Sequence, residues 1–217
     1  FQPDVIVNRF DHRSPATTHG HHTASAMLSV ESFELANNPT IFPEQLQFVK
    51  PWQTKRQFFN TSWWFYGSVE KFNAADKTNL IALQTGVYYA GLGKSNQEIA
   101  ALSRSCHQSQ GFGSTGVRGE ETDYLEFING VALKEKKSLF EGIDTSWNRV
   151  RGGKPIGDLL TTIAAEFDHN NPSASIPNLA KAYSMMKALD ENHWAPLKSE
   201  AIKEIIASCS GLYLEAV

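Results

Sequence analysis

The chain predicts an α/β protein, and three observations carry that expectation. β-Branched and aromatic runs at 3–10, 55–62, 79–89 and 123–128 have the look of buried strands. The first of them opens a strand, polar loop, helix order, the arrangement in which open α/β sheets keep ligands beyond the carboxyl ends of their strands. From Pro155 onward the texture changes to helices alone. Together these predict a three-layer, Rossmann-like domain with a mostly parallel sheet over 1–150, and a helical extension or the start of another segment over 151–217.

The first strand, with Val5, Ile6 and Val7, ends in Phe10-Asp11-His12-Arg13. Thr17-Thr18-His19-Gly20-His21-His22-Thr23 then leads into an apolar-rich helix over 24–36. Asn37-Asn38-Pro39 is a turn signal, and Pro43 and Pro51 punctuate an irregular connection. The second strand runs into Trp63-Trp64-Phe65-Tyr66, four aromatics that cannot all face one core. Part of that run lines a cleft or an interface, where aromatic faces can stack on sugars, or packs a core. After the third strand, Ser95 with Glu98 three residues on predicts a capped helix to about Gln110. Gly111-Phe112-Gly113-Ser114-Thr115-Gly116 lacks the Gly-Lys-Ser/Thr ending of a phosphate cradle and reads as a flexible surface loop. The fourth strand is followed by a charged, exposed stretch at 132–138 and by a polar stretch at 140–150, either a site-edge loop or a hydrogen-bonded turn. Helices are expected over 156–167, 176–189 and 197–209.

With 217 residues, 41% of them hydrophobic, the chain can bury a full core. A formal net charge of −3 and no basic run give no footprint for nucleic acid. No stretch approaches the roughly 20 apolar residues of a membrane span. Cys106 and Cys209 make neither a disulfide framework nor a local metal knuckle. The chain opens on Phe1-Gln2-Pro3 without a Met and ends at 211–217 without a polar fringe. Both ends read as cuts within a longer protein, which leaves localisation, periplasmic or secreted included, open.

Three of the seven histidines, His19, His21 and His22, fall within four residues at the point where a loop becomes a helix. Imidazole is the commonest ligand of transition metals and titrates near neutrality, so such a cluster points to a metal or to proton chemistry. The alternative is that these histidines are solvated or that one caps the helix.

The same residues carry a resemblance. Asp11-His12 after a strand, then His19-Gly20-His21-His22 before a helix, resembles the second half of the PIG-L/LmbE-like deacetylases, which carry a His-Pro-Asp-His-type motif in that setting. His19 stands at the motif's first histidine and His22 at its last; Gly20 replaces Pro and His21 replaces Asp. Lys94 to Gln110 is similar to a later helix of that family, with His107-Gln108-Ser109-Gln110 at its end. Ser62-Trp63-Trp64-Phe65-Tyr66-Gly67 and Gly142-Ile143-Asp144-Thr145-Ser146-Trp147 look like a branch of long, multidomain bacterial members. The resemblance covers 1–150 and is looser beyond.

What the resemblance implies is a zinc-dependent deacetylase acting on an N-acetylated amino sugar or glycoconjugate. In that family zinc is held by two histidines and a carboxylate, with an open position for water. The resemblance makes His22 the Zn2+ ligand, His19 the residue that faces the substrate and stabilises the oxyanion, and Asp11 a supporting carboxylate behind the imidazoles. The family's remaining ligands and its general base come from an upstream His-Pro-Asp-Asp-Glu motif that this sequence does not contain. The chain is therefore expected to be partnered by the missing amino-terminal part of the same domain, and to bind zinc weakly by itself. His21 in the Asp position also fits a member that kept the fold and lost catalysis. A reading from another class is a carbohydrate-binding or interaction module in which Trp63, Trp64 and Tyr66 stack on sugars.

Overall fold

In the computed structural model, which describes residues 1–14 and 17–211, strands and helices alternate as far as residue 130. β1 (Val5–Asn8), α1 (Gly20–Leu35), β2 (Arg56–Thr61), α2 (Trp63–Tyr66), α3 (Val69–Ala74) and β3 (Leu80–Gln84) come first. A two-stranded ribbon of β4 (Tyr88–Tyr89) and β5 (Lys94–Ser95), then α4 (Asn96–Ser105) and β6 (Thr122–Gly130), complete the series. The expectation placed on 212–217 lies outside the described residues.

Four strands form one sheet in the order β1-β2-β6-β3. β1 runs parallel to β2, while β6 runs antiparallel to both β2 and β3. The protein is thus mixed α/β with a mixed sheet, where the sequence predicts mostly parallel neighbours. The reason lies in the connection after β3. The chain leaves at Gln84, makes its excursion through the ribbon and α4, and re-enters at Thr122, directly opposite Gln84. A return to the same end of the sheet makes the neighbours antiparallel.

β2 is the buried spine, and its two faces differ. Phe58 packs with Ile81 and Leu125, joined by Val5, Leu83, Phe127, Leu133 and Leu139. Arg56 lies on that face too, 1% exposed, donating to the carbonyls of Leu139 (3.0 Å) and Glu141 (2.7 Å). These bonds hold the 131–141 segment across the sheet. The opposite face lies under α1, which buries only a stripe of Thr23, Ala26 and Phe33. There a polar relay runs from strand to helix and back: Asn129 donates to Gln57 (3.2 Å), Gln57 to Ser29 (2.9 Å), and Ser29 to Asn8 (2.7 Å). At Gly130 the backbone is left-handed (φ 91°), and a Cβ would meet Lys55 O at 2.3 Å and the Phe33 ring at 2.9 Å, so no larger residue fits beneath α1.

α4 carries the expected capping box. Ser95 Oγ accepts from Glu98 N, and the Glu98 carboxylate accepts from Ser95 N and from Arg118. The Arg118 guanidinium, then the Ser95 amide, hold the Glu98 carboxyl down at about 2. α4 stops at Ser105, short of Gln110; His107 to Gly111 turn back through bonds to the His107 carbonyl. The glycine-rich stretch is packed and bonded to α4: a Cβ on Gly116 would meet Glu98 Cα at 2.4 Å, and Ser105 Oγ donates to Ser114 O.

Contacts divide the chain after Glu141 into two compact units, Phe1–Glu141 and Gly142 onward. The division falls earlier than 150 because Trp147 packs with the helical core. The 140–150 stretch resolves into a hydrogen-bonded turn, with Asp144 accepting from Ser146 N and Oγ and a 3-10 turn over Trp147–Arg149. The second unit consists of α5 (Lys154–Ala165), α6 (Ile176–Lys187) and α7 (Trp194–Ser210) around Ile156, Ile163, Leu179, Met186, Ala195 and Ile202. No helix among the described residues is long and apolar enough to cross a membrane.

Candidate metal centre

The parallel pairing of β1 with β2 brings the carboxyl ends of both strands to one edge of the sheet, with Asn8 opposite Phe59. Arg9 Nη1 ties the two exits together by donating to Asn60 Oδ1 at 2.9 Å. α1 starts just beyond this edge, at Gly20, four residues before the expected start at 24. His19 is therefore the N-cap, with extended backbone (φ −63°, ψ 143°), and His21 and His22 lie in the first turn. His19 makes no capping hydrogen bond from its side chain, which removes the helix-cap reading for that ring. Thr18 and buried Thr23, their hydroxyls 3.0 Å apart, close the loop onto the helix.

The ligand nitrogens of His19, His21 and His22 all lie within 4.8 Å of one another, and among the described residues no carboxylate or thiol joins them. The rings of His19 and His22 are nearly parallel (centroids 5.4 Å, 12°), and His21 is tilted against His22 at 4.1 Å. Phe10, the residue leaving β1, stacks on His22 at 4.0 Å and 17°. His22 is half-buried, whereas His19 and His21 are exposed. Desolvation, then the neighbouring imidazoles of His21 and His19, push the His22 pKa below its ordinary value, which favours the neutral, metal-ligating form. An all-imidazole donor set open to solvent on one side suits a borderline divalent ion such as zinc.

Asp11 is not brought to the imidazoles. Its Oδ1 accepts from Arg13 Nε (2.8 Å) and its Oδ2 from Ser14 Oγ (2.7 Å), and Arg13 goes on to grip Glu126 with both Nη atoms at 2.8 and 2.7 Å. Burial raises the Asp11 pKa, but the bonds from Ser14 and Arg13 outweigh it and hold the carboxyl below its ordinary value. The support expected of Asp11 behind a ligating histidine is thus replaced by a different task, fastening the β1–α1 loop to the central strand β6. His12 Nδ1, 3.7 Å from Asp11 Oδ1, is buried without a hydrogen-bond partner among the described residues.

Of the expected site residues, then, the structure gathers His19 and His22 and adds His21 as a third nitrogen. The Arg13–Glu126 fork is absent from the sequence reading. Its one visible signal is Glu126, a charge inside the strand run Tyr124-Leu125-Glu126-Phe127. The expected aromatics divide: Trp63 and Trp64 are exposed, whereas Tyr66 is half-buried against Phe72. Desolvation, then the charge of Glu126, raise the Tyr66 pKa, so its hydroxyl stays protonated. His107, at the end of the stretch that resembles the family's later helix, pairs its Nδ1 with Ser109 Oγ at 3.1 Å in a turn beyond α4. Compared with family models, curated proteins and solved structures, the chain matches none.

Proposed function

We propose that this chain carries the metal-binding edge of a zinc-dependent N-acyl amidohydrolase that removes an acetyl group from an amino sugar or its glycoconjugate, as the resemblance to the PIG-L/LmbE-like deacetylases implies. The observation that supports it best is the convergence of three imidazoles at the carboxyl ends of two parallel strands. A zinc ion held there would supply a Lewis acid for the amide carbonyl and lower the pKa of water. His22 would hold the metal through its neutral ring, positioned by the Phe10 stack and by the first turn of α1. His21, on the same turn, offers a second nitrogen. His19, at the cap, donates to the acyl oxygen as negative charge grows on it. In this reading the four described strands are part of a three-layer, Rossmann-like domain. Its remaining ligands come from the amino-terminal part of the same domain.

Acetate release from N-acetylglucosamine and its oligomers by zinc-supplemented protein that includes the amino-terminal part of the domain, followed by proton NMR, is the test. Release that a chelator stops is expected there, and little release from this chain alone. Zinc-loaded protein with its amino-terminal part that releases no acetate contradicts the hydrolase reading.

A further inference from the structure

β2 and β3 both run antiparallel to β6, and β1 runs parallel to β2, so β1, β2 and β3 all end at one edge of the sheet. Open α/β sheets bind ligands beyond that edge. On its β3 side lies a cleft of about 650 Å³, within the range of small-molecule sites, and no histidine lines it. One wall is a single face of α4, with Gln97, Ala100, Ala101 and Arg104 at i, i+3, i+4 and i+7. The second wall is the segment 114–117, which runs back along α4: Gly111 passes too close to Arg104, and Gly116 too close to Glu98, to admit a Cβ. The third carries Glu121 and Asp123 at the entry to β6, two residues apart and so on the same side of the extended chain.

The walls are bonded to one another. Ser95 Oγ donates to Val117 O at 2.9 Å and Ser105 Oγ to Ser114 O at 3.4 Å. Asn96 Nδ2 and Gln97 Nε2 donate to Thr85 O at 3.0 and 3.3 Å, and Thr85 N donates to Glu121 O at 2.7 Å. These bonds fix the hollow, and they set the acidic pair beside the start of α4 while Arg104 stands toward its end. Arg118, just past the second wall, is already paired with Glu98 at 2.9 Å. Among the described residues the Arg104 guanidinium and the Glu121 and Asp123 carboxylates take part in no hydrogen bond or ion pair.

A simple anion here would face two carboxylates, and a simple cation would face an arginine. A ligand that carries one charge of each sign at opposite ends is complementary to both. From Gln97 to Arg104 the helix rises about 10 Å, the length of about three residues of extended peptide. Between those two side chains Ala100 and Ala101 keep the middle of the groove clear. We propose that this cleft binds a short zwitterionic peptide of about three small residues, its ammonium group at Glu121 and Asp123 and its carboxylate at Arg104. The site needs no metal and stands apart from the imidazoles. Its charged groups are exposed, so the affinity is weak, with a Kd on the order of 1 mM.

The experiment is titration of the full chain with trialanine, followed by backbone amide shifts in nitrogen-15 NMR. Saturable shifts confined to α4 and to 114–123 are expected. N-acetyl-trialanine and trialanine amide, each lacking one terminal charge, are expected to bind about fivefold to tenfold more weakly, and Arg104→Gln to weaken trialanine by a similar factor. Ala100→Trp, at an exposed helix position, fills the groove and is expected to abolish the shifts while melting with the wild type. The end-blocked peptides decide the matter on wild type alone, whatever a variant does to the fold. No saturable shift with trialanine, equal binding of the free and either end-blocked peptide, or undiminished binding in folded Ala100→Trp each overturns the proposal. Inorganic phosphate that shifts the same amides as strongly as the peptide overturns it too.

Discussion

The helical unit buries Ile156, Ile163, Leu179, Met186, Ala195 and Ile202, and its buried Ser199 bonds locally to Pro196 O at 2.8 Å. The sheet unit buries Phe58, Ile81 and Leu125 together with Arg56, Gln57, Thr61, Asn8 and Thr23. An apolar core is non-directional and tolerates repacking. A buried polar relay demands particular partners at particular angles, and it loses more when one partner is removed than it gains when all are present. In this molecule the polar relay of Asn129, Gln57, Ser29 and Asn8 lies under the helix that carries the histidines. The Gln57–Ser29–Asn8 bonds tie α1 to the strand from which the imidazole loop departs. The helical core has no such duty.

Two substitutions separate these roles. Met186→Ala, at a side chain only 1% exposed, is expected to cost about 2–5 kcal/mol in denaturant unfolding, while zinc uptake stays as in wild type. Loss of zinc in that variant would break the division of labour between the units. Gln57→Met keeps volume but strands the Asn129 amide and removes the donor to Ser29 Oγ, for about 1–3 kcal/mol. Its signature is that zinc affinity falls along with stability. A Gln57→Met protein as stable and as zinc-avid as wild type would show that the relay does not position α1.

The sequence made the helices legible because a 3.6-residue period over a dozen residues is a long signal. α5 and α6 fall within two residues of their expected bounds, and α7 begins three residues early because Trp194 and Ala195 form its first turn. β1, β2 and β6 were legible as runs of β-branched and aromatic residues. Strand direction was not, since Val, Ile and Phe read the same either way and direction is set by where the connection returns. The expected strand over 79–89 ends at Gln84 because the chain turns there, with Gly86 N donating to Gln84 Oε1 and Glu121 O. At the site, the adjacency of His19, His21 and His22 was visible because neighbours in sequence on one turn are neighbours in space. The capture of Asp11 by Arg13 and Glu126 was not, because Glu126 lies 113 residues from Arg13 along the chain.

The most direct measurement is zinc per chain, by elemental analysis after dialysis against a zinc buffer, in the complete enzyme with its amino-terminal part, as wild type, His22→Ala and His19→Ala. His22→Ala is expected to lose most of the metal. His19→Ala is expected to retain it while acetate release falls by about 10²–10³, the usual loss when one oxyanion donor is removed. Equal loss of zinc in the two variants, or no change of zinc or rate in either, would contradict the roles assigned to these histidines.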